Sequence, residues 1–218
     1  MSDPSNVYPD PERMLRVLGE EVSILQEAGI TPFAIGSVAG AVHGDVAWPG
    51  PGSDLDLFVS EGDARRAVAV LSEHGHAAEG THEDWLLKVR KNGVLTDLIF
   101  RAAGEIELDA EMVLRAERHV FRGVDLPVLS AEDYTIMQAF THSIDTRAHW
   151  FNALGVLRRA TLDWDYFLRR ASLRPERALA LLCWARSDGI AIPQQPMDAL
   201  WEWCCDRKVV LPAEETVA

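Results

Sequence analysis

Cysteine is nearly missing from this sequence: Cys183, Cys204 and Cys205 are the only three in 218 residues. An odd number with one adjacent pair excludes a disulfide framework. With no Cys-x-x-Cys pair, the usual structural zinc site is excluded too. All three are expected to pack as small apolar side chains. Long apolar runs are also missing. None approaches the ~20 residues that a membrane-spanning helix needs, and Met1 to Pro11 lacks the basic-then-apolar order of a secretory leader. A cytoplasmic protein with no membrane partner is therefore expected. Positive charge is the third shortage: 21 Lys and Arg stand against 34 Asp and Glu, a formal net charge of −13. Such a surface repels phosphate backbones and argues against a broad nucleic-acid footprint. The only basic cluster, Arg158, Arg159, Arg169, Arg170, Arg174 and Arg177, reads as solvated helix faces.

What is present is an ordinary globular composition, 48% hydrophobic and 25% charged. The length suits one domain with an appendage or two small domains. Asp10-Pro11 opens a helix with Met14, Leu15, Leu18, Val22 and Leu25 at helical spacing, ended by Gly29. Phe33-Ala34-Ile35 reads as a buried strand. Ser37 caps a short helix to about His43, and Ala47 to Ser53 is a Pro- and Gly-rich loop. Asp54 to Val59 is a strand, and Asp63 caps a helix to about His74. Trp85–Arg90 and Val94–Phe100 form a hairpin on Asn92-Gly93. Asp109–Glu117 is helical, and His119–Leu129 is extended but irregular, broken by Gly123 and Pro127. Ser130-Ala131-Glu132-Asp133 is a capping box. From there the pattern is helical to about Asp206, with an interruption at Gly189–Pro196 and a polar tail after it. The expected fold is α+β: a mixed sheet with flanking helices over residues 1–129, then a helical part over residues 130–218.

Three features carry chemistry. Asp54 and Asp56 lie two apart on a strand, so their carboxylates share one face while Leu55 and Leu57 point into a core. Like charges side by side need neutralising, and hard oxygen ligands suit magnesium. Gly36-Ser37 sits between a strand and a helix, where free amides and a hydroxyl can meet a phosphate. Asp97 lies in the apolar strand Val94–Phe100, with Thr96 and Leu98 on its opposite face. If that strand lies beside the first, three carboxylates meet and can serve displacement at phosphorus. The bland alternatives are a solvated D-x-D pair, an ordinary strand-to-helix turn and an edge-strand acid facing water. Elsewhere, Asp163 reads as a helix cap, the tryptophans of the second half as core, and His74 and His76 as non-ligands.

The runs Phe33-Ala34-Ile35-Gly36-Ser37, Ser53-Asp54-Leu55-Asp56-Leu57 and Thr96-Asp97-Leu98, in that order, resemble the DNA polymerase beta-like nucleotidyltransferase superfamily. Small bacterial members, the aminoglycoside and toxin-type nucleotidyltransferases, are the nearest in pattern. Leu126 to Asp133 resembles the linker into their helical half. The resemblance implies that Gly36, Ser37 and Ser53 contact a nucleoside triphosphate and that Asp54, Asp56 and Asp97 bind two magnesium ions. Asp97 would also help deprotonate an acceptor hydroxyl, and pyrophosphate would leave. Two family features are replaced. Pro49-Gly50-Pro51-Gly52 stands where an arginine is common, and Gln138 where a lysine is common; His142, Arg147 or His149 are the candidates to compensate. The acceptor expected from the charge is small or cationic, drawn to Glu83, Asp84, Asp163 and Asp165. Competing readings are a non-catalytic nucleotide- or partner-binding module, a toxin-type enzyme modifying tRNA or protein, and an unrelated α+β protein.

Overall fold

A computed structural model describes residues 10–206 apart from 45, 51, 82 and 144–147. Pro51, Arg147, most of the leader segment and the polar tail therefore lie outside the described residues. Helix α1 (Pro11–Glu27) begins where Asp10 accepts hydrogen bonds from the Glu12 and Arg13 amides at 3.0 and 3.3 Å. It buries Met14, Val17, Leu18, Val22 and Leu25 along one stripe, and Gly29 follows its end at φ +73°. Then come β1 (Phe33–Ala34), α2 (Gly36–His43), β2 (Leu55–Phe58), α3 (Glu61–Glu73) and β3 (Ala77–Glu79). The hairpin strands β4 (Leu86–Lys91) and β5 (Val94–Ile99) flank Asn92 and Gly93, both at positive φ as a tight hairpin turn demands. Short strands β6 (Arg101–Ala102) and β7 (Ile106–Glu107), helix α4 (Ala110–Arg115) and strands β8 (Glu117–Phe121) and β9 (Val124–Val128) complete the first half. The second half is helical: α5 (Ala131–Thr141), α6 (Ala148–Arg159), α7 (Trp164–Ala171), α8 (Pro175–Ser187) and α9 (Gln194–Asp206).

Seven strands form one mixed sheet in the order β3-β4-β5-β2-β1-β9-β8. β2 runs parallel to β5 and β1 parallel to β9, while the remaining neighbours are antiparallel. Strand alternation divides the core. Ala34, Leu55, Leu57 and Leu98 pack with α1 and α3 on one face. Phe33, Ile35, Phe58 and Ile99 point the other way and join the core of α5 to α9. The helical half is thus built onto the same sheet face that carries Asp56 and Asp97, which stand two residues before Phe58 and Ile99 respectively. No described helix is long and apolar enough to cross a membrane.

Six expectations are corrected. Ser37 is not the cap of α2: it lies inside the first turn, and Ile35 precedes the helix with no side-chain cap, because Gly36 turns the chain into the helix one residue earlier. Ser60, not Asp63, is the N-cap of α3: its hydroxyl accepts from the Asp63 amide at 3.2 Å. The helix after Asp109 stops at Arg115, and Glu117 already belongs to β8. The stretch His119–Leu129 is a regular hairpin through Arg122-Gly123, both at positive φ. Arginine in place of Asn or Asp hides that turn, and Pro127 is tolerated because β9 meets β1 over one residue pair only, Ala34 with Val128. Arg170 is no solvated helix charge: it contacts Asp109, Asp133 and the Tyr166 hydroxyl, and Arg177 donates to the His142 carbonyl at 2.6 Å. The cysteines do not pack as core: Cys183 and Cys205 are exposed and Cys204 half-buried, because the helix faces that bury α8 and α9 are those of Leu181, Leu182 and Leu200. The capping box at Ser130 and the cap at Asp163 are present as read from the sequence.

Candidate active site

Gly36 joins β1 to α2 at φ +53°, a conformation that L side chains avoid. A Cβ there would stand 1.9 Å from Asp56 Oδ2. Only glycine lets the backbone come this close to the carboxylate. The Ser37 backbone, next in the chain, draws the Asp56 pKa down against its burial, and the Ser37 hydroxyl, at the N-terminus of α2, is buried without a hydrogen-bond partner. Tyr134 of α5 also buries an unpartnered hydroxyl; burial, and then the nearby Asp56 charge, raise its pKa. Two orphaned hydroxyls beside one carboxylate form a site whose polar atoms await a ligand.

The parallel register of β2 and β5 places Asp56 directly opposite Asp97. Burial pushes the Asp56 carboxyl up to about 7, with further upward contributions from the charges of Asp54 and Asp97. Asp54 is raised for the same reasons, burial first and Asp97 second, while Lys88 and Arg90 oppose the shift. Asp97 itself is buried, 8% exposed. It is directly opposite Lys88 across the hairpin, and Lys88 Nζ donates to both its oxygens at 2.8 Å. A row Lys88–Asp97–Asp56 therefore crosses three adjacent strands. Among the described residues, no group of three His, Cys, Asp or Glu side chains is gathered closely enough to hold a metal ion.

A cavity of about 680 Å³ opens over this row. Gly36, Asp56 and Asp97 line it, Trp85, Ile99 and Met137 supply apolar wall, and Arg101 and Arg174 add positive charge. Ser53 is elsewhere: with Asp54, Arg13 and Arg90 it lines a second cavity of about 390 Å³. Gln138 reaches the main cavity and its Oε1 accepts from His149 Nδ1 at 2.9 Å, so the lysine position carries a neutral pair. Burial, then the charge of His142, lowers the His149 pKa. His142 stacks on Trp150 with ring centroids 4.4 Å apart. Of the four acids expected to draw in a cation, Asp84 lines the cavity. Glu83 accepts from the Trp85 indole at 2.7 Å, and Asp163 pairs with Arg115 at 2.9 Å.

Sequence reading missed Lys88, Tyr134, Arg101 and Arg174. Lys88 was within reach. A two-residue hairpin on Asn92-Gly93 sets Lys91 opposite Val94, and counting outward arrives at Lys88 opposite Asp97. Tyr134 and Arg174 carried no local signal, since each reaches the site from an element distant in sequence, and Arg101 sits on a two-residue strand too short to show a pattern.

Residues 24–186 match the model of a family described as uncharacterised nucleotidyltransferases. No curated protein matches the chain by sequence. Among solved structures, the chain resembles the solution structure of the antibiotic-resistance factor ANT(2″)-Ia at a TM-score of 0.52 and 14% identity, covering 82% of this chain and 94% of that one. A crystal structure of ANT(2″)-Ia with adenylyl-2″-tobramycin gives a TM-score of 0.52 at 14% identity over 76% of this chain and 98% of that one. The lincosamide antibiotic adenylyltransferase LnuA, bound to lincomycin, gives 0.47 at 12% identity over 66% and 95%. At a TM-score of 0.52 and 14% identity, the likeness to ANT(2″)-Ia shows a shared fold.

Proposed function

The chain belongs to the nucleotidyltransferase family just described, and on that premise we propose that it moves a nucleoside monophosphate from a nucleoside triphosphate to a hydroxyl of a small acceptor, with magnesium as the metal. One observation carries this reading: Gly36 is pressed against the Asp56 carboxylate, and the hydroxyl of the next residue, Ser37, is buried and unpartnered. No ordinary strand-to-helix turn needs that approach.

In this reading the start of α2 takes the terminal phosphates on its free amides and the Ser37 hydroxyl. Asp54 and Asp56 hold magnesium, and their crowded, desolvated carboxylates fit a hard divalent cation. When bound, the ion offsets negative charge on the phosphates and makes pyrophosphate a better leaving group. Asp97 accepts the proton of the acceptor hydroxyl, because it is the carboxylate of the row that faces the main cavity beyond Asp56. Trp85, Ile99 and Met137 give apolar wall for a base or an acceptor ring, and Arg174 supplies positive charge that Gln138 does not, Arg101 being paired with Glu61, Glu105 and Glu107. A cavity of about 680 Å³ is of the size that takes small molecules. Asp84 and Glu105 on its rim favour a cationic acceptor. ANT(2″)-Ia, of the same fold, holds an adenylylated product of this kind.

The test is a screen of the four triphosphates with magnesium against pooled small molecules, tRNA and protein, read by pyrophosphate release and mass spectrometry. A mass increase of one nucleoside monophosphate on a small molecule is expected. Modification of tRNA or protein alone would overturn the acceptor, and no magnesium-dependent pyrophosphate with any pool would overturn the reaction.

A further inference from the structure

Asp97 already has a cation. Lys88 Nζ lies 2.8 Å from each of its carboxylate oxygens, and both side chains are largely enclosed, 24% and 11% exposed. The pair is set by the hairpin register and not by a chance surface rotamer. Lys88 has no competing carboxylate on its other flank. Glu79 stands opposite it on β3, but Arg90 holds Glu79 through Nε and, at 3.1 Å, through Nη2. The ammonium is therefore committed to Asp97. It also acts on Asp54 and Asp56 as a positive charge. A second divalent ion at Asp97 would have to lie against this ammonium, with strong mutual repulsion at such short range.

We propose that Lys88 is the resident cation of the third carboxylate, so that the protein with bound triphosphate takes up one divalent ion, on Asp54 and Asp56, instead of two. This rests on the nucleotidyltransfer reading and departs from the two magnesium ions that the family resemblance implies. Lys88 acts as a positioning residue: it fixes the Asp97 carboxylate over the cavity and neutralises its charge, while each oxygen keeps a lone pair free to accept the acceptor's proton. No bond is made or broken at Lys88. Its ammonium covers the shortage of positive charge left by Pro49-Gly50-Pro51-Gly52 and Gln138.

The experiment counts manganese ions bound to the full chain by electron paramagnetic resonance, with saturating α,β-methylene analogues of each triphosphate. One ion per chain is expected for the wild type and for Lys88→Arg, which keeps the charge, and two for Lys88→Met, which removes it. Pyrophosphate release is measured separately on the wild type. Two ions bound by the wild type would overturn the proposal and leave the proposed reaction standing, as would one ion in Lys88→Met. No nucleotide-dependent manganese binding in any of the three would overturn both. The wild-type count decides the matter even if Lys88→Met does not fold.

Discussion

The two faces of β5 bury polar groups one residue apart and treat them in opposite ways. Thr96 faces α1, where its hydroxyl donates to both oxygens of Glu21 at 2.9 and 3.0 Å. His76 Nε2 lies 3.3 Å from the same carboxylate, near enough for an ion-pair contact though poorly aligned for a hydrogen bond. None of these three residues lines either of the two cavities described above. Asp97 faces the opposite way, onto an open cavity, and shares its row with a second acid whose neighbours include two unpartnered hydroxyls. Burial raises the pKa of Glu21 and of Asp56 alike, so a perturbed carboxylate does not mark a site. What separates the two is satisfaction. Buried charge closed by protein partners holds a fold together, and buried charge facing space beside orphaned donors is prepared for something that arrives.

The sharpest break of this contrast is at Asp56. Asp56→Asn is expected to reduce pyrophosphate release to background while stabilising the metal-free protein above neutral pH. The sign follows from the raised pKa. The native state holds the Asp56 proton up to about 7, whereas the unfolded chain releases it near 3.8. Stability from this group is complete below 3.8 and is lost as pH rises through about 7. The loss is at most about 4 kcal/mol at 1.36 kcal/mol per pKa unit. Denaturant unfolding of the wild type at several pH values in chelator should show this decline, and Asp56→Asn should flatten it. An unchanged pH profile in the variant would place the strain elsewhere.

Gly36→Ala comes next. It adds a Cβ against Asp56 Oδ2 and forces a side chain into a left-handed conformation, which by itself costs about 1–2 kcal/mol. Calorimetry should register that loss, and triphosphate binding followed by titration should fall along with it. Retained affinity would show that the close approach is dispensable.

Thr96→Val tests the closed face. Leaving Glu21 without its donor should cost about 1–3 kcal/mol of stability, read by urea unfolding, with kcat/KM for pyrophosphate release changed less than about threefold, since the Glu21 cluster does not open to the cavity. A large kinetic effect would erase the distinction between the faces. Ser37→Ala is the smallest change. Removing an unpartnered hydroxyl should leave stability within about 0.5 kcal/mol, while KM for the triphosphate rises roughly tenfold, the equivalent of about 1.4 kcal/mol. A KM that stays put would mean the hydroxyl meets no phosphate.

Much of the first half was legible because its signals are local. Asp10-Pro11, Asn92-Gly93 and the Ser130 capping box each state their structure within four residues. The hairpin at Arg122-Gly123 was not legible, since arginine is not a turn residue and its positive φ is imposed by the pairing of β8 with β9. Arg170 was misread for a related reason. Its helix position looks solvent-facing, and only the arrival of Asp109 and Asp133 from other elements, beside Tyr166 one turn back on its own helix, encloses it.

The sequence by itself determined the local geometry of the candidate site. Gly36-Ser37 ends a strand where a helix begins, and the length of the hairpin sets Lys88 across from Asp97. The tertiary structure alone decided that β2 lies parallel beside β5 in the register that joins Asp56 to Asp97. It also decided that α5 brings Tyr134 and Gln138 over them and that Lys88 turns to Asp97 once Arg90 has taken Glu79. Local periodicity comes from the geometry of the backbone, which any short segment carries within itself. Register between distant strands comes from burying Leu57 with Leu98 on one face and Phe58 with Ile99 on the other, and that gain exists only when the whole core closes.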